Sequence, residues 1–348
     1  MEVPSHFSKA MLFALSTTVA LVCAWEIYWR QRDYPLSYNE DNAAWANSRA
    51  KVDANDKPKM VIIGSSRGKF DVDLPALKQT TGFNPIQLSL HGSCPRPALV
   101  DLANDSLFTG TLLIDVMEPL FFAMPGIPPY TEIQKRVEYY SRWTPAQQAS
   151  YKISRALESK LVFLDQEAIS LNGLYTRTPI APREGVWTFP VFPLGWAYVC
   201  DDRQNKLSHA LLNSAEVQQK MRNVWIQLGM LNSHRGPGGD TLQFMFDVVK
   251  KSIDKLKKRG VQVFFIRYPS TDVFLEAEHA TFPRKMYWDR LLEYTQTPGI
   301  HFEDYPVLKK YKCPEGSHLS PADAIEFTKE VVEIMKRDKG WKTPDASM

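Results

Sequence analysis

The chain is poor in the residues that announce metal or redox chemistry. It has only 4 cysteines in 348 residues, and no two of them form a Cys-x-x-Cys pair. His91, His209, His234, His279 and His301 show no paired ligand spacing, so no zinc or other metal site is indicated, and no cofactor motif is present. A surplus of charge is also missing. With Lys+Arg 42 against Asp+Glu 39 the net charge is +3, too little for a nucleic-acid footprint. No glycine-rich phosphate loop occurs either, because His234-Arg235-Gly236-Pro237-Gly238-Gly239 lacks the lysine that a P-loop needs. Asp201-Asp202 reads as a turn rather than a cation site, and no internal repeat or low-complexity tract is evident. What remains is ordinary globular composition, 44% hydrophobic and 23% charged, long enough for one large domain or two smaller ones.

The first feature that is present rather than absent lies at the N-terminus. From Ala10 to Trp25 no residue is charged, and Tyr28 and Trp29 follow around Glu26, before Arg30 and Arg32. The stretch is short against the ~20 residues needed to span a bilayer, but its aromatic end suits an interfacial belt. An uncleaved anchor over residues 1–30 is the favoured reading. A signal peptide cleaved near Val22-Cys23-Ala24 is the rival. Lys9 on one side and Arg30 and Arg32 on the other do not favour an extracytoplasmic domain by charge alone.

Residues 31–58 are polar and without sustained periodicity, as in a linker. Short apolar runs then predict strands at Met60–Ile63, Ile86–Leu90, Thr111–Val116 and Val261–Arg267, with a weaker one at Ile300–Phe302. Runs bounded by turn signals and without polar alternation suit parallel strands covered on both faces. Helical spacing predicts helices at Ala98–Leu107, Asp240–Arg259, Arg284–Thr295 and Pro321–Arg337, the last with Ser320 as N-cap. In the second of these, Lys250-Lys251 and Lys257-Lys258-Arg259 alternate with Leu242, Met245, Val249, Ile253 and Leu256, a solvated helix face rather than a phosphate patch, and Gly260 is the stop signal. The alternation implies an open α/β sheet whose chemistry belongs at the carboxyl ends of its strands. It breaks over residues 119–239, where the aromatic run with Trp187, Phe189, Phe192 and Trp196 lies between helical patterns near Glu132–Trp143, Pro145–Leu164 and Leu207–Leu228. That stretch reads as an insertion or cap on a core made of 59–118 and 240–340.

Two segments far apart in the chain carry the chemistry. Val61-Ile62-Ile63-Gly64-Ser65-Ser66-Arg67 is a strand running into a hydroxyl-bearing turn, and Glu315-Gly316-Ser317-His318-Leu319-Ser320 puts an acid three residues before a histidine. Nucleophile, base and orienting acid are the parts of a serine acyl-transfer site. Ser66 at a strand-to-helix turn presents its hydroxyl while its own N–H faces a developing oxyanion. In this register the chain resembles the SGNH (GDSL-type) hydrolase superfamily, and within it the membrane-anchored bacterial branch of DltD- and AlgX-like acyl-transfer proteins. The likeness covers about Lys59–Met117 and Asp240–Lys339. It implies an SGNH/flavodoxin-like three-layer α/β sandwich around a central parallel sheet.

Residue by residue, the resemblance makes Ser66 the nucleophile, in a Gly64-Ser65-Ser66-Arg67 turn where Ser65 replaces the family's aspartate. Leu88-Ser89-Leu90-His91-Gly92-Ser93 supplies Gly92 N–H as the second oxyanion donor, beside that of Ser66. His318 would be the general base and Glu315, in place of aspartate, its orienting acid. The third block departs from the pattern: Leu113-Ile114-Asp115-Val116-Met117-Glu118-Pro119 has no asparagine to donate to the oxyanion, and one missing donor costs about 10²–10³ in rate. Arg67 and Arg267, at strand ends, are candidate binders of a negatively charged group. Cys94 and Cys313 stand in two loops expected to meet at the site, and a disulfide between them would imply an oxidising compartment.

The expectation is an anchored, extracytoplasmic (periplasmic) serine O-acyltransferase or esterase. The resemblance implies a cell-surface glycan or polymer as acceptor and a multi-spanning membrane O-acyltransferase as partner. Its rival is a non-catalytic SGNH-like assembly or binding subunit, favoured by the absent asparagine and the Asp-to-Glu change.

Overall fold

A computed structural model describes residues 5–54, 58–178, 181, 183–186, 188–229 and 236–342. Trp187, His234 and Arg235, named above, lie outside the described residues. Five strands form one parallel sheet: β1 (Lys59–Ile63), β2 (Asn84–Gln87), β3 (Thr111–Asp115), β6 (Gln262–Arg267) and β7 (Gly299–His301), in the order β2-β1-β3-β6-β7. All five predicted strands are there, within a few residues of their expected bounds. A separate antiparallel hairpin pairs β4 (Ala197–Val199) with β5 (Asn205–Leu207), and Asp201-Asp202 form its turn.

The sheet is covered on both sides, and the lack of polar alternation in its strands follows from that. Val61 and Ile63 of β1 join one apolar layer with the helices Arg96–Asn104 and Gly239–Lys258, while Met60 and Ile62 join the other with Leu74–Thr81 and Pro321–Asp338. The last helix begins where the sequence placed it, with Ser320 Oγ accepting from Asp323 N–H at 3.1 Å and Pro321 in the first turn. The expected helix Arg284–Thr295 is in two parts, a π-helical turn Lys285–Asp289 running into an α-helix Arg290–Thr295. The expected helix over Leu207–Leu228 is β5 followed by two helices, His209–Leu212 and Ala215–Gln227.

The linker reading of residues 31–58 is wrong. Asn42–Asp53 is a helix packed into the core, with Trp45 fully buried and its Nε1–H donated to the Leu88 carbonyl at 2.9 Å. Arg49 beside it is buried against three carboxylates, Asp53, Asp101 and Asp105, at 2.5, 2.6 and 2.8 Å. The segment lacks a strong apolar stripe because Ser48 and Arg49 interrupt its buried face, and two of the acids that satisfy Arg49, Asp101 and Asp105, lie far along the chain.

The N-terminal helix Ser5–Arg30 includes a stretch, Phe7–Arg30, long and apolar enough to cross a membrane, and it projects from the rest of the molecule without burial. Among the described residues only its last turns touch the rest of the fold, where Trp29, with Tyr34 just beyond the helix, packs on Val162, Ala168 and Ile169.

Candidate active site

Running from Ile63 into the next helix, the chain passes the carboxyl end of β1, where the order of strands reverses between β2 and β3; crevices of open α/β sheets form at such points. Gly64 is fixed there by close approach, since a Cβ would fall 2.2 Å from Asp115 Cβ. Asp115, the last residue of β3, ties the turn down: its Oδ2 accepts from Ser65 N–H at 2.8 Å, Ser65 O–H at 2.5 Å and Gly68 N–H at 3.4 Å. Burial pushes the Asp115 carboxyl up, and the Ser65 bonds and the nearby Arg67 and Arg267 charges only partly offset it. Ser65 is thus a buried N-cap, accepting from Arg67 N–H at 3.2 Å, and Ser66 opens the helix Ser66–Phe70 with its side chain only partly covered.

The loop before the last helix brings the histidine to meet it. His318 Nε2 stands 2.9 Å from Ser66 Oγ, and His318 Nδ1 stands 2.5 Å from Glu315 Oε1. The other carboxylate oxygen of Glu315 accepts from Ser317 N–H at 2.8 Å and from Trp225 Nε1–H at 3.0 Å. Glutamate's extra methylene fits because the loop between acid and base is a tight turn: Gly316 has φ +98°, and a Cβ on it would come within 2.2 Å of the Phe274 ring. The turn is held from outside by Leu319 N–H to Asp71 Oδ1 (2.8 Å), Thr271 N–H to the Gly316 carbonyl (3.0 Å) and Arg222 to the Pro314 carbonyl (2.8 Å). Glu315 and His318 are both buried, so neither is free to rotate out of line.

Three aromatic rings wall the imidazole: Phe70 at 4.3 Å, Trp225 at 5.5 Å and Trp196 at 6.3 Å between centroids. The sequence alone singles out neither Trp196, Trp225 nor Asp115 as a site residue. No local signal marks Trp225, which meets Glu315 across a separation of 90 residues. Asp115 had one, an acid at the carboxyl end of the third strand, but it was read only as a missing asparagine.

Gly92 lies in an exposed turn after β2 with φ +59°, and among the described residues neither its N–H nor that of Ser66 donates to a protein acceptor. His91 beside it stacks near Phe70 at 6.0 Å; burial, then the Lys69 charge, drive its pKa down to about 3, so its ring is neutral over the physiological range.

Two sequence expectations fail here. Arg67 and Arg267 are not open to a ligand: both are buried and share Glu278, which Arg67 meets at 2.5 Å, while Arg267 also pairs with Glu118 at 2.7 Å. Burial alone would raise Glu278, but the two guanidiniums overcome it and hold the carboxyl at about 2. Cys94 and Cys313 are also not bonded, and both are free thiols on opposite faces of the sheet. Cys94 Sγ points to the Phe121 carbonyl on one side, and Cys313 is packed in the layer of the last helix on the other. Among the described residues no group of three or more His, Cys, Asp or Glu is placed to hold a metal ion.

Comparison with protein-family models and with curated proteins finds no match for this chain. The chemistry must be read from the geometry. An imidazole that donates Nδ1–H to a carboxylate has an unprotonated Nε2 free to accept a proton from the hydroxyl it faces, which makes that oxygen a nucleophile.

Proposed function

We propose that this chain is a membrane-anchored, extracytoplasmic serine O-acyltransferase or esterase of the SGNH type, acting on a cell-surface glycan or other envelope polymer. The observation that carries this reading is the Ser66–His318–Glu315 relay at 2.9 and 2.5 Å. The sheet order supports it, since with its strands renumbered along the chain it reads 2-1-3-4-5, the flavodoxin-like doubly wound order. The apolar helix Phe7–Arg30 supports the anchor.

In the first half-reaction Ser66 Oγ attacks an acyl carbonyl while its proton passes to His318 Nε2. Glu315 holds the ring and stabilises the imidazolium. The N–H groups of Ser66 and Gly92 are the donors for the tetrahedral oxyanion. Collapse breaks the acyl–oxygen bond, the leaving oxygen takes the proton from His318, and the acyl group remains on Ser66. In the second half an acceptor hydroxyl gives its proton to His318, attacks the ester carbonyl and leaves acylated, restoring Ser66. Transfer and hydrolysis differ only in whether that acceptor is a sugar hydroxyl or water. Acetyl is the acyl group favoured, with a multi-spanning membrane O-acyltransferase as donor partner.

Incubation with an activated acetyl ester and candidate oligosaccharides tests the class. Acetylated sugar, lost in Ser66→Ala, identifies a transferase; acetate release alone identifies an esterase. A second reading, a non-catalytic assembly subunit, is favoured by one observation: at the end of β3, Asp115 is engaged with Ser65 and no asparagine replaces the third oxyanion donor. Full biological activity of Ser66→Ala would select it.

A further inference from the structure

The helix Ser5–Arg30 is not tethered loosely to the domain. Trp25 Nε1–H donates to the Ile169 carbonyl at 2.9 Å, and the Glu26 carboxylate accepts from the N–H groups of Val162 and Phe163 at 3.0 and 2.9 Å. Arg30 bonds both Glu26 and the Lys160 carbonyl, and Tyr34 O–H reaches Asp165 at 2.9 Å. These bonds fix the depth of residues 160–171 relative to the bilayer. A span of 24 residues is about 36 Å long against a hydrocarbon core of about 30 Å, so its ends stand in the headgroup layer. Trp25, five residues before the Arg30 end, closes the uncharged run Ala10–Trp25, and with the charged Glu26 and Arg30 beyond it stands at the boundary of core and headgroups. Its partner Ile169 lies at the same depth. Leu171, two residues on, is within about 7 Å of it along the chain.

Large apolar side chains stand exposed there, flanked by the exposed polar residues Gln166, Glu167 and Asn172. On the short helix Leu171–Thr176, Leu171 is 88% exposed, Tyr175 81% and Leu174 40%. An aliphatic side chain and an amphipathic aromatic ring held bare in this way suit a water–lipid boundary. We propose that the helix Leu171–Thr176 is a second membrane contact, lying in the headgroup layer beside the span, and that it fixes the domain on the bilayer rather than letting it swing on its anchor. This placement rests on the anchor reading above.

It also carries a consequence for the substrate. Arg177, at the end of that helix, bonds the Phe192 carbonyl at 2.7 Å; Phe192 stacks on Trp196 at 5.7 Å, and Trp196 stands 6.3 Å from the His318 ring. One chain of contacts, a guanidinium–carbonyl bond followed by stacked rings, thus joins the membrane contact to the wall of the serine site, which suits an acyl donor presented at the bilayer surface.

The test uses the full chain, with Cys23→Ser and Cys200→Ser, in nanodiscs of phosphatidylcholine and phosphatidylglycerol. A nitroxide is attached in turn through Leu171→Cys, Tyr175→Cys, Val19→Cys as the span reference and Phe244→Cys as an exposed aqueous reference. The ratio of collisions with oxygen to collisions with a water-soluble nickel chelate is then measured. The expected ratio at 171 and 175 is several-fold above that at 244 and below that at 19. A ratio at both positions equal to that at 244 would overturn the second contact while leaving the anchor intact. Shielding from both reagents would overturn it too, pointing to a protein surface or a second copy. An aqueous value at 19 would remove the anchor reading and the second contact together.

Discussion

Ser66 and Arg67 are neighbours in sequence and enter two buried polar clusters of opposite design. The Ser66 cluster is a line: Glu315 holds His318, His318 faces the hydroxyl, and the hydroxyl is partly open to solvent. The Arg67 cluster is closed: Arg67, Glu278, Arg267 and Glu118 are all buried and ion-paired with one another. Successive residues at a helix start point in directions about 100° apart, so a single step along the chain separates the proposed nucleophile from a buried ion pair. A buried charge at a strand end is therefore no sign of ligand binding until its partners are known, whereas a buried histidine whose second nitrogen faces a half-open hydroxyl has the arrangement that the proposed acyl transfer requires.

Substitutions can set the two clusters apart. Glu315→Gln keeps the shape of the open line but removes the charge that orients His318, and should lower turnover of an activated ester by about 10²–10⁴ with little loss of folding stability. Arg267→Met opens the closed cluster and leaves Glu118 without its cation. Chemical denaturation should register a loss of about 3–5 kcal/mol, while ester turnover per folded molecule stays near wild type. Equal effects of the two variants on turnover would erase the distinction.

A pH profile sharpens it further. The pKa of His91 is about 3 in the folded protein and near 6.5 when unfolded, so below about 6.5 the unfolded chain binds the extra proton. Stability from this group is present above that pH and is lost as acid is added toward about 3. Between pH 6.5 and 5, His91→Phe should lose about 1–2 kcal/mol less than wild type. Identical acid sensitivity of the two proteins would contradict the neutral ring. The smallest effect is expected at Trp225→Phe, which removes one of the bonds to Glu315 and leaves that of Ser317. Turnover should fall about 2–10-fold, rising again on reversion.

How far the sequence revealed these features depended on the range of the interactions. The five strands were legible because each is a continuous buried run, Ser66 because it follows a strand into a turn, and Glu315 and His318 because they stand just before a recognisable helix start. The helix Asn42–Asp53 was not, since Arg49 takes the place of an apolar residue and its acids at Asp101 and Asp105 lie far along the chain. Arg67 and Arg267 were misread for the same reason: Glu278, the acid they share, sits on the helix Asp272–Thr281, which no periodicity announced. Cys94 and Cys313 both flank site loops, but those loops approach the sheet edge from opposite faces, a fact that only the alternation of side chains across the folded sheet determines.

The central claim is that the Ser66 hydroxyl is activated by His318. Reaction with a fluorophosphonate, followed by mass spectrometry of the digested protein, tests it most directly. The expected result is one phosphonyl adduct on the peptide carrying Ser66, absent in Ser66→Ala and in His318→Ala. No adduct in the folded wild-type chain, or labelling that survives both substitutions, would contradict it.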